Sequence, residues 1–240
     1  MKKLDKANLK ITLEQEGFYI LNDAYTKKEI NQIRRSLNDF QIVNPTKGSN
    51  EFYAIRNLFE KIPSLKKTLL NNKIKLILEQ IGNKFHLTKA IYFNKPAFSN
   101  WYVTWHQDLS IHVKEKIEHP DFHGWTNKKG FIGVIPPKEI LSNTITIRVH
   151  LDDTTIENGG LKIIPRSHKN ILKNQAIKHF TQTELSIDCN VLAGGIQLMK
   201  PLLLHASSKS QNNKSRRVIH LEFNNIDLPD GLQWSERESI

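Results

Sequence analysis

Apolar residues in the first third of the chain recur at helical spacing. The segment Thr26–Glu29 has the sequence of a capping box, and the apolar positions that follow it are Ile30, Ile33, Leu37 and Phe40. This pattern predicts a helix that ends near Phe40. A second helical stretch, interrupted at Asn71-Asn72, is predicted from Ser64 to Ile81. The first third is therefore expected to be mainly helical.

From Phe85 onward the chain changes to short β-like runs separated by Gly, Pro and Asn turns. The runs are Lys89–Phe93, Trp101–Trp105, Thr144–Leu151, Leu161–Ile164, Ile196–Leu204 and Arg217–Phe223. Their number and shortness predict a jelly roll or barrel, with the helices packed against one face. No linker separates the two parts, so one domain is expected over residues 1–240, with a helical part at about 1–83 and a β core at about 84–224.

Two of these runs alternate between apolar and polar residues. In residues 144–151 one face is Ile145, Ile147, Val149 and Leu151, and the other is Thr144, Thr146, Arg148 and His150. In residues 216–223 one face is Arg217, Ile219, Leu221 and Phe223, and the other is Arg216, Val218, His220 and Glu222. The first faces suit packing against helices. The second faces hold too many Arg and His residues for a dry core, so they are expected to line a wet cavity, with a solvent-exposed sheet face as the alternative.

Composition describes an ordinary globular protein, with 38% hydrophobic and 25% charged residues. The single cysteine excludes an internal disulfide, and without a secretory signal or an apolar run of about 18 residues we expect a cytoplasmic protein without a membrane span. A net charge of +11 is compatible with nucleic acid, an anionic membrane or an acidic small substrate. The lysines are scattered and lack interleaved aromatics, which favours a solvated basic surface over a nucleic-acid partner.

The segment Trp105–Asp108 places a His and an Asp two positions apart. On a strand, His106 and Asp108 would share one face at about 7 Å between Cα atoms, close enough to reach one metal. A second histidine would complete a two-His-one-carboxylate triad, and His205 is the best candidate because it follows the apolar run Leu202–Leu204. A His-x-Asp pair alone also occurs in surface and capping roles.

Two further residues, both of which follow His205 in the sequence, support the interpretation of His106, Asp108 and His205 as a metal site. Ser207 follows on the same predicted strand face, and alternation turns Arg216 toward the cavity. A guanidinium there would pair with a carboxylate in bidentate fashion, which is what holding the far end of a metal-chelating dicarboxylate requires.

The combination of motifs resembles the phytanoyl-CoA dioxygenase family of iron and 2-oxoglutarate oxygenases. The matching segments lie between about Lys84 and Phe223, and they are Asn94–Pro96, Trp105–Leu109, Leu151–Asp153, Glu157–Leu161, Ile164–Lys169 and Leu204–Ser207 with Arg216. The resemblance implies a double-stranded β-helix, which is a cupin-like jelly roll. It also implies O2 and a small molecule as the reaction partners.

The resemblance assigns Fe(II) to His106, Asp108 and His205, and the far carboxylate of 2-oxoglutarate to Arg216 and Ser207, with Lys95 nearby. It implies that oxidative decarboxylation of 2-oxoglutarate to succinate and CO2 is coupled to oxidation of the substrate. Related halogenases carry a small residue in place of the metal-binding carboxylate, so Asp108 indicates hydroxylation or another oxidation. Two departures from the family pattern are Arg166, where glycine is usual, and Gly195, where aspartate often follows a glycine.

The candidates for the substrate pocket lie near the first metal motif or on the inward strand face, and they are Trp101, Trp105, His112, Trp125 and Arg148. The loop from Leu109 to Pro137 is expected to shape substrate choice. Each candidate has an ordinary alternative: Trp105 as a core residue, Trp125 as an anchor of its loop, and Arg148 as the partner of an internal acid or of 2-oxoglutarate. The rival functions are a non-catalytic small-molecule-binding module on the same fold and a nucleic-acid-modifying dioxygenase.

Overall fold

The structure is a computed structural model that describes residues 6–44, 53–97, 101–128 and 130–240. The helices are α1 (Lys6–Glu16), α2 (Lys27–Val43), α3 (Leu58–Lys61), α4 (Leu65–Leu69), α5 (Asn72–Ile81), α6 (Lys138–Asn143) and α7 (Asn174–Thr183). The strands are β1 (Phe18–Leu21), β2 (Tyr53–Arg56), β3 (His86–Lys95), β4 (Val103–His106), β5 (Ile111–Val113), β6 (His123–Lys128), β7 (Phe131–Ile135), β8 (Ile145–His150), β9 (Leu161–Ile163), β10 (Ile187–Asp188), β11 (Ile196–Met199), β12 (His205–Ser207), β13 (Arg216–Asn224) and β14 (Glu238–Ser239). None of the helices in these ranges is long and apolar enough to cross a membrane.

Two antiparallel sheets form the β core. The larger sheet has the order β1-β11-β8-β13-β3-β14, with β2 also paired to β3, and the smaller sheet has the order β10-β9-β12-β4. From β3 to β13 the chain passes back and forth between them, since β3, β8, β11 and β13 lie in the larger sheet and β4, β9, β10 and β12 in the smaller. This connectivity is that of a double-stranded β-helix, so the expected fold, mainly β with flanking helices, is confirmed.

The two predicted helical stretches are confirmed, with small shifts at their ends. Helix α2 begins after a capping box in which Thr26 and Glu29 bond each other reciprocally, and it ends at Val43, three residues beyond the prediction. The predicted interruption at Asn71-Asn72 separates α4 from α5. The Asn71 side chain caps α5 by accepting hydrogen bonds from the backbone N–H groups of Lys73 and Ile74.

One apolar layer joins the helices to the larger sheet. The predicted apolar faces of β8 and β13 lie in it, together with buried residues from the helices such as Leu13, Ile33 and Ile77. The expectation that helices pack against this face of the barrel is therefore confirmed. The opposite faces of the same strands are also buried, which excludes the alternative of a solvent-exposed sheet face.

The first third is mainly helical, as expected, and it also contributes β1 and β2 to the larger sheet. Two sequence expectations are wrong in detail. The run Ile196–Leu204 is not one strand, because β11 ends at Met199 and the chain turns at Pro201, which cannot donate to a strand ladder. The segment Leu109–Pro137 is not a plain loop, since it folds into a third sheet, β5-β7-β6. A separate apolar cluster that includes Val134 and Trp234 supports this sheet.

Candidate metal centre

Two strands of the smaller sheet bring the predicted histidines together. His106, at the end of β4, is the cross-strand partner of His205, at the start of β12. Asp108 lies two residues beyond the end of β4, so the expectation that His106 and Asp108 share a strand is wrong. A hydrogen bond of 2.9 Å from the Asp108 backbone N–H to the Pro201 carbonyl fixes it instead. The turn before His205 therefore also positions the carboxylate.

The side-chain ends of the three residues converge. Asp108 presents Oδ1 at 3.6 Å from Nε2 of His106 and Oδ2 at 3.6 Å from Nε2 of His205. All three residues offer ligand atoms within 4.8 Å of one another, and no other such group occurs among the described residues. Adjacent ligands of one octahedral metal at about 2.1 Å are about 3 Å apart, so a small movement would close them around a single ion.

Backbone carbonyls set the tautomer of both imidazoles. Nδ1 of His106 lies 2.8 Å from the Thr104 carbonyl, and Nδ1 of His205 lies 2.8 Å from the Leu203 carbonyl. A carbonyl oxygen only accepts, so each Nδ1 carries the proton and each Nε2 keeps its lone pair for a metal. Burial lowers the pKa of His205 to about 4, which keeps this ring neutral.

Asp108 is held as a carboxylate. Burial opposes its ionisation, but the neighbouring His205 and His106 outweigh burial and lower the pKa of Asp108 well below its ordinary value. Two neutral imidazoles and one carboxylate are the donor set of a non-haem Fe(II) centre with open coordination positions.

Two residues that sequence reasoning did not single out hold this geometry. Gln107 is buried and bridges three backbone groups: it donates to the Leu202 and Asn170 carbonyls and accepts from the Leu172 N–H. The Ser167 hydroxyl accepts a hydrogen bond of 2.8 Å from the Leu204 N–H. Their positions inside the quoted motifs were the only sequence signal, because neither residue type by itself indicates a positioning role.

Two of the three predicted cosubstrate anchors lie on the larger sheet, at the end of β3 and at the start of β13. Arg216 and Lys95 are cross-strand partners and both are buried. Within the described part of the chain, Nε of Arg216 has no hydrogen-bond partner, and no carboxylate forms an ion pair with it. Burial, with the positive charge of Arg148, lowers the pKa of Arg216 to about 9. A buried guanidinium without a counterion is a ready site for a carboxylate.

Lys95 has a hydrogen-bond partner but no acidic one. Its Nζ donates to the Ser208 carbonyl at 2.5 Å, and burial together with Arg216 lowers the pKa of Lys95 to about 8. A Cβ at Gly159 would overlap this Nζ, and Gly159 has a φ of +77°, so the glycine makes room for the lysine. Ser207, the remaining predicted anchor, is buried on β12, two residues after His205.

Arg217, which follows Arg216 and lies on the helix-facing side of β13, holds the start of this strand in place. Its guanidinium forms two hydrogen bonds to Asp152, of 2.7 and 2.9 Å, and its backbone N–H donates a third. Asp152 also pairs with Arg34 of α2 at 3.2 Å. The Leu151–Asp153 motif therefore ties the helical layer to the strand that carries Arg216.

A line of polar side chains continues along the cavity face of β13 and β8. Arg148 donates to Nδ1 of His220 at 3.4 Å, the other ring nitrogen of His220 lies 2.8 Å from Glu222, and Glu222 pairs with Lys89 at 2.8 Å. His150, the next inward residue of β8, has its pKa lowered by burial and by the charges of Arg148 and Arg216.

The predicted substrate residues are distributed over several places. Arg148 lies on the cavity face, and half-buried His112 lies near the Lys89 and Glu222 charges, with burial and Lys89 lowering the pKa of His112 to about 4. Trp105 directly precedes His106 on β4, so it faces away from the metal ligands, and Trp101 is exposed. Trp125 packs against the cluster under the third sheet, as its alternative role of loop anchor supposes.

The two departures from the family pattern both lie in turns. Arg166 has a φ of 65°, in the left-handed region where glycine is favoured, so the usual glycine is explained by backbone geometry. Gly195 does not have a positive φ, but a Cβ there would lie 2.8 Å from Val191 and 2.9 Å from the Leu192 carbonyl. Neither residue contacts the metal ligands.

A family model described as phytanoyl-CoA dioxygenase matches residues 13–218. This chain belongs to the phytanoyl-CoA dioxygenase family. The match includes all three residues of the His-Asp-His triad together with Lys95, Ser207 and Arg216. No curated protein matches the sequence.

Solved structures share the fold at low sequence identity. The α-ketoglutarate-dependent carbocyclase SnoK from nogalamycin biosynthesis is 13% identical, with a TM-score of 0.72, over 94% of this chain and 86% of that one. EctD from S. alaskensis with 2-oxoglutarate and 5-hydroxyectoine is 13% identical, with a TM-score of 0.68, over 91% and 75%. HygX from Streptomyces hygroscopicus with nickel and 2-oxoglutarate is 16% identical, with a TM-score of 0.67, over 92% and 87%.

The residues present fit the two predicted cofactors. The donor set of His106, Asp108 and His205 suits Fe(II), and the unpaired guanidinium of Arg216 suits a carboxylate of 2-oxoglutarate. The cofactor prediction from sequence therefore agrees with the family and with the chemistry of the site.

Proposed function

We propose that this protein is an Fe(II)- and 2-oxoglutarate-dependent dioxygenase that hydroxylates a small molecule and releases succinate and CO2. One observation carries the proposal: the β core that brings two histidines and one carboxylate together also holds a buried arginine that has no acidic partner among the described residues. A metal site alone needs no such arginine. A dicarboxylate that chelates the metal at one end needs both groups.

Each residue has a definite task in this proposal. His106, Asp108 and His205 hold the iron, and the carbonyls of Thr104 and Leu203 keep the two rings oriented. Arg216 binds the far carboxylate of 2-oxoglutarate, with Ser207 and Lys95 beside it. The list of metal and cosubstrate residues is thus His106, Asp108, His205, Arg216, Ser207 and Lys95.

The bound iron and cosubstrate supply the oxidising chemistry when O2 is present, and the protein orients and shields them. All six positions of β8 are buried, so this strand shields one side of the site from bulk water, while the His106 and Asp108 side chains are about one-third exposed. His112, which lies near the charges of Lys89 and Glu222, is proposed as a substrate contact. A substrate contact also remains a prediction for Trp101, Trp105 and Trp125. We also propose a single domain over residues 1–240, supported by the apolar layer that the helices and the larger sheet share.

Anaerobic visible spectroscopy tests the proposal. Protein loaded with Fe(II) is expected to develop the weak metal-to-ligand charge-transfer band of a chelated 2-oxo acid when 2-oxoglutarate is added. His205→Ala is expected to abolish the band, because a buried ligand is removed. His179→Ala, an exposed histidine on α7, should keep it. Thermal unfolding of both variants shows whether the loss is local.

The alternative outcomes separate the rival functions. A wild-type protein that binds iron but gives no band with 2-oxoglutarate would contradict the proposal and favour a binding module on this fold. A band without succinate release in the presence of O2 and any substrate would contradict the catalytic part only.

A further inference from the structure

The cavity face carries a second arginine, Arg148, that the proposed cofactors leave without a counterion. Arg148 is only 8% exposed, and in the described part of the chain its Nε has no hydrogen-bond partner. Burial lowers the pKa of Arg148, and the Asp108 carboxylate nearby partly offsets this effect. Arg148 is therefore a desolvated cation beside the metal ligands.

The nearest polar contact of Arg148 offers no negative charge. An arginine has no acceptor, so Nδ1 of His220 must accept the hydrogen bond at 3.4 Å, and the proton of this ring then sits on Nε2. That proton is donated to Glu222 at 2.8 Å. Glu222 in turn is neutralised by Lys89 at 2.8 Å. Glu222, the internal acid that could have served as the counterion of Arg148, is therefore already paired with Lys89.

Arg148 also lacks a counterion when the charges of the bound cofactors are counted. Fe(II) brings two positive charges, and Arg148, Arg216 and Lys95 bring one each, whereas Asp108 and the two carboxylates of 2-oxoglutarate bring three negative charges. Two positive charges remain, and the three cationic side chains among these groups are all buried. An unpaired buried charge is costly, so a further anion is needed when the site is full.

The two arginines serve separate positions. Arg148 pairs across the sheet with His220, which lies four residues beyond Arg216 on β13, about 13 Å along the strand. Arg216 lies at the start of β13 opposite Lys95, whereas Arg148 lies in the middle of β8, near the charge of Asp108. An extended 2-oxoglutarate has its ends only about 5 Å apart, given four C–C bonds of about 1.5 Å.

We propose that Arg148 forms a second anion subsite beside the metal, and that the substrate presents a carboxylate to it. This inference rests on the proposed function, since 2-oxoglutarate must occupy Arg216. The guanidinium would hold the substrate by a bidentate pair and so fix which carbon faces the iron. Arg148 is then a specificity-determining residue.

Acetate serves as the probe because it is the smallest carboxylate, and acetamide is its neutral match. Under anaerobic conditions with Fe(II) and saturating 2-oxoglutarate, acetate is expected to perturb the charge-transfer band saturably in the wild type, and acetamide is not. Arg148→Gln should weaken the apparent acetate affinity by about tenfold or more while leaving 2-oxoglutarate affinity within about twofold. Arg237→Gln, an exposed arginine paired with Asp227, is the control and should match the wild type.

A structural role for Arg148 predicts a different set of results. If Arg148 only stabilised the fold, Arg148→Gln would lower the melting temperature of the unliganded protein, whereas relief of repulsion with Arg216 should leave it unchanged or raise it. Equal acetate responses in wild type and Arg148→Gln, or no response in the wild type, would overturn the subsite. A loss of 2-oxoglutarate affinity would assign Arg148 to the cosubstrate instead. Absence of the band in the wild type would contradict the proposed function itself.

Discussion

The two faces of the larger sheet are built from the same strands and are both buried, yet they differ in chemistry. The helix-facing side of β8 and β13 holds aliphatic and aromatic residues such as Ile147, Leu221 and Phe223. The cavity side holds charged and imidazole groups such as Arg148, His150 and Arg216, several with atoms that have no partner among the described residues. Alternation along one strand thus places stabilising contacts and ligand-binding groups a single residue apart.

The difference shows how the fold tolerates a costly site. Desolvated cations lower the stability of the unliganded protein unless they are paired, so the cavity side is expected to contribute little or to destabilise. The apolar side offsets this cost through close packing against the helices. Substitutions on the helix-facing side should therefore lower the free energy of unfolding, whereas substitutions on the cavity side should lower the affinity for ligands.

The largest effect is expected from Phe223→Ala on the helix-facing side. Phe223 is fully buried, and a Phe-to-Ala change in a packed core lowers the free energy of unfolding by about 3–5 kcal/mol. Urea denaturation measures this loss. The 2-oxoglutarate affinity of the folded fraction should stay within about twofold of the wild type, and a loss as large as that of a cavity-side variant would break the separation of the two faces.

Arg216→Gln on the cavity side is expected to do the reverse. Removing one partner of a buried charge pair costs about 2 kcal/mol or more of binding, so 2-oxoglutarate affinity should fall by about 30-fold or more. The unliganded melting temperature should not fall, because the guanidinium has no acidic partner to lose. Titration of the charge-transfer band and thermal unfolding give the two values.

The neighbouring arginine supplies the matched control. Arg217→Gln breaks the bidentate pair with Asp152 and is expected to lower the free energy of unfolding by about 1–2 kcal/mol with a much smaller effect on 2-oxoglutarate. If both arginine variants changed the same quantity, the assignment of the two faces would be wrong.

The smallest effect is expected from Thr26→Ala in the helical layer. The Thr26 hydroxyl accepts from the Glu29 N–H at the start of α2, and loss of such a cap costs about 1 kcal/mol. Denaturation should register the change, and metal and 2-oxoglutarate binding should not. A measurable loss of iron binding would show that the helical layer also positions the site.

Sequence patterns predicted the parts of the fold with strong periodicity. Apolar alternation in residues 144–151 and 216–223 assigned both faces of β8 and β13 correctly, and the capping box at Thr26 located the start of α2. The third sheet could not be predicted, because β6 is mostly exposed and has no apolar alternation. The apolar run that ends at Leu204 concealed a turn, because residues within that turn are also buried.

The candidate site was predictable as a set of residues but not as a geometry. Spacing put His106 and Asp108 on one strand, yet a backbone hydrogen bond to Pro201, 93 positions along the chain, is what holds Asp108. The roles of Gln107 and Ser167 depend on backbone groups that are distant in sequence, so no local pattern reports them. The lack of a counterion at Arg148 likewise depends on Lys89 pairing with Glu222.

An anaerobic crystal structure of the protein with Fe(II) and 2-oxoglutarate would show where both cofactors bind. We expect iron on His106, Asp108 and His205, with one end of 2-oxoglutarate on the metal and the other on Arg216. Iron bound elsewhere, or 2-oxoglutarate that leaves the Arg216 guanidinium without a carboxylate partner, would contradict this expectation.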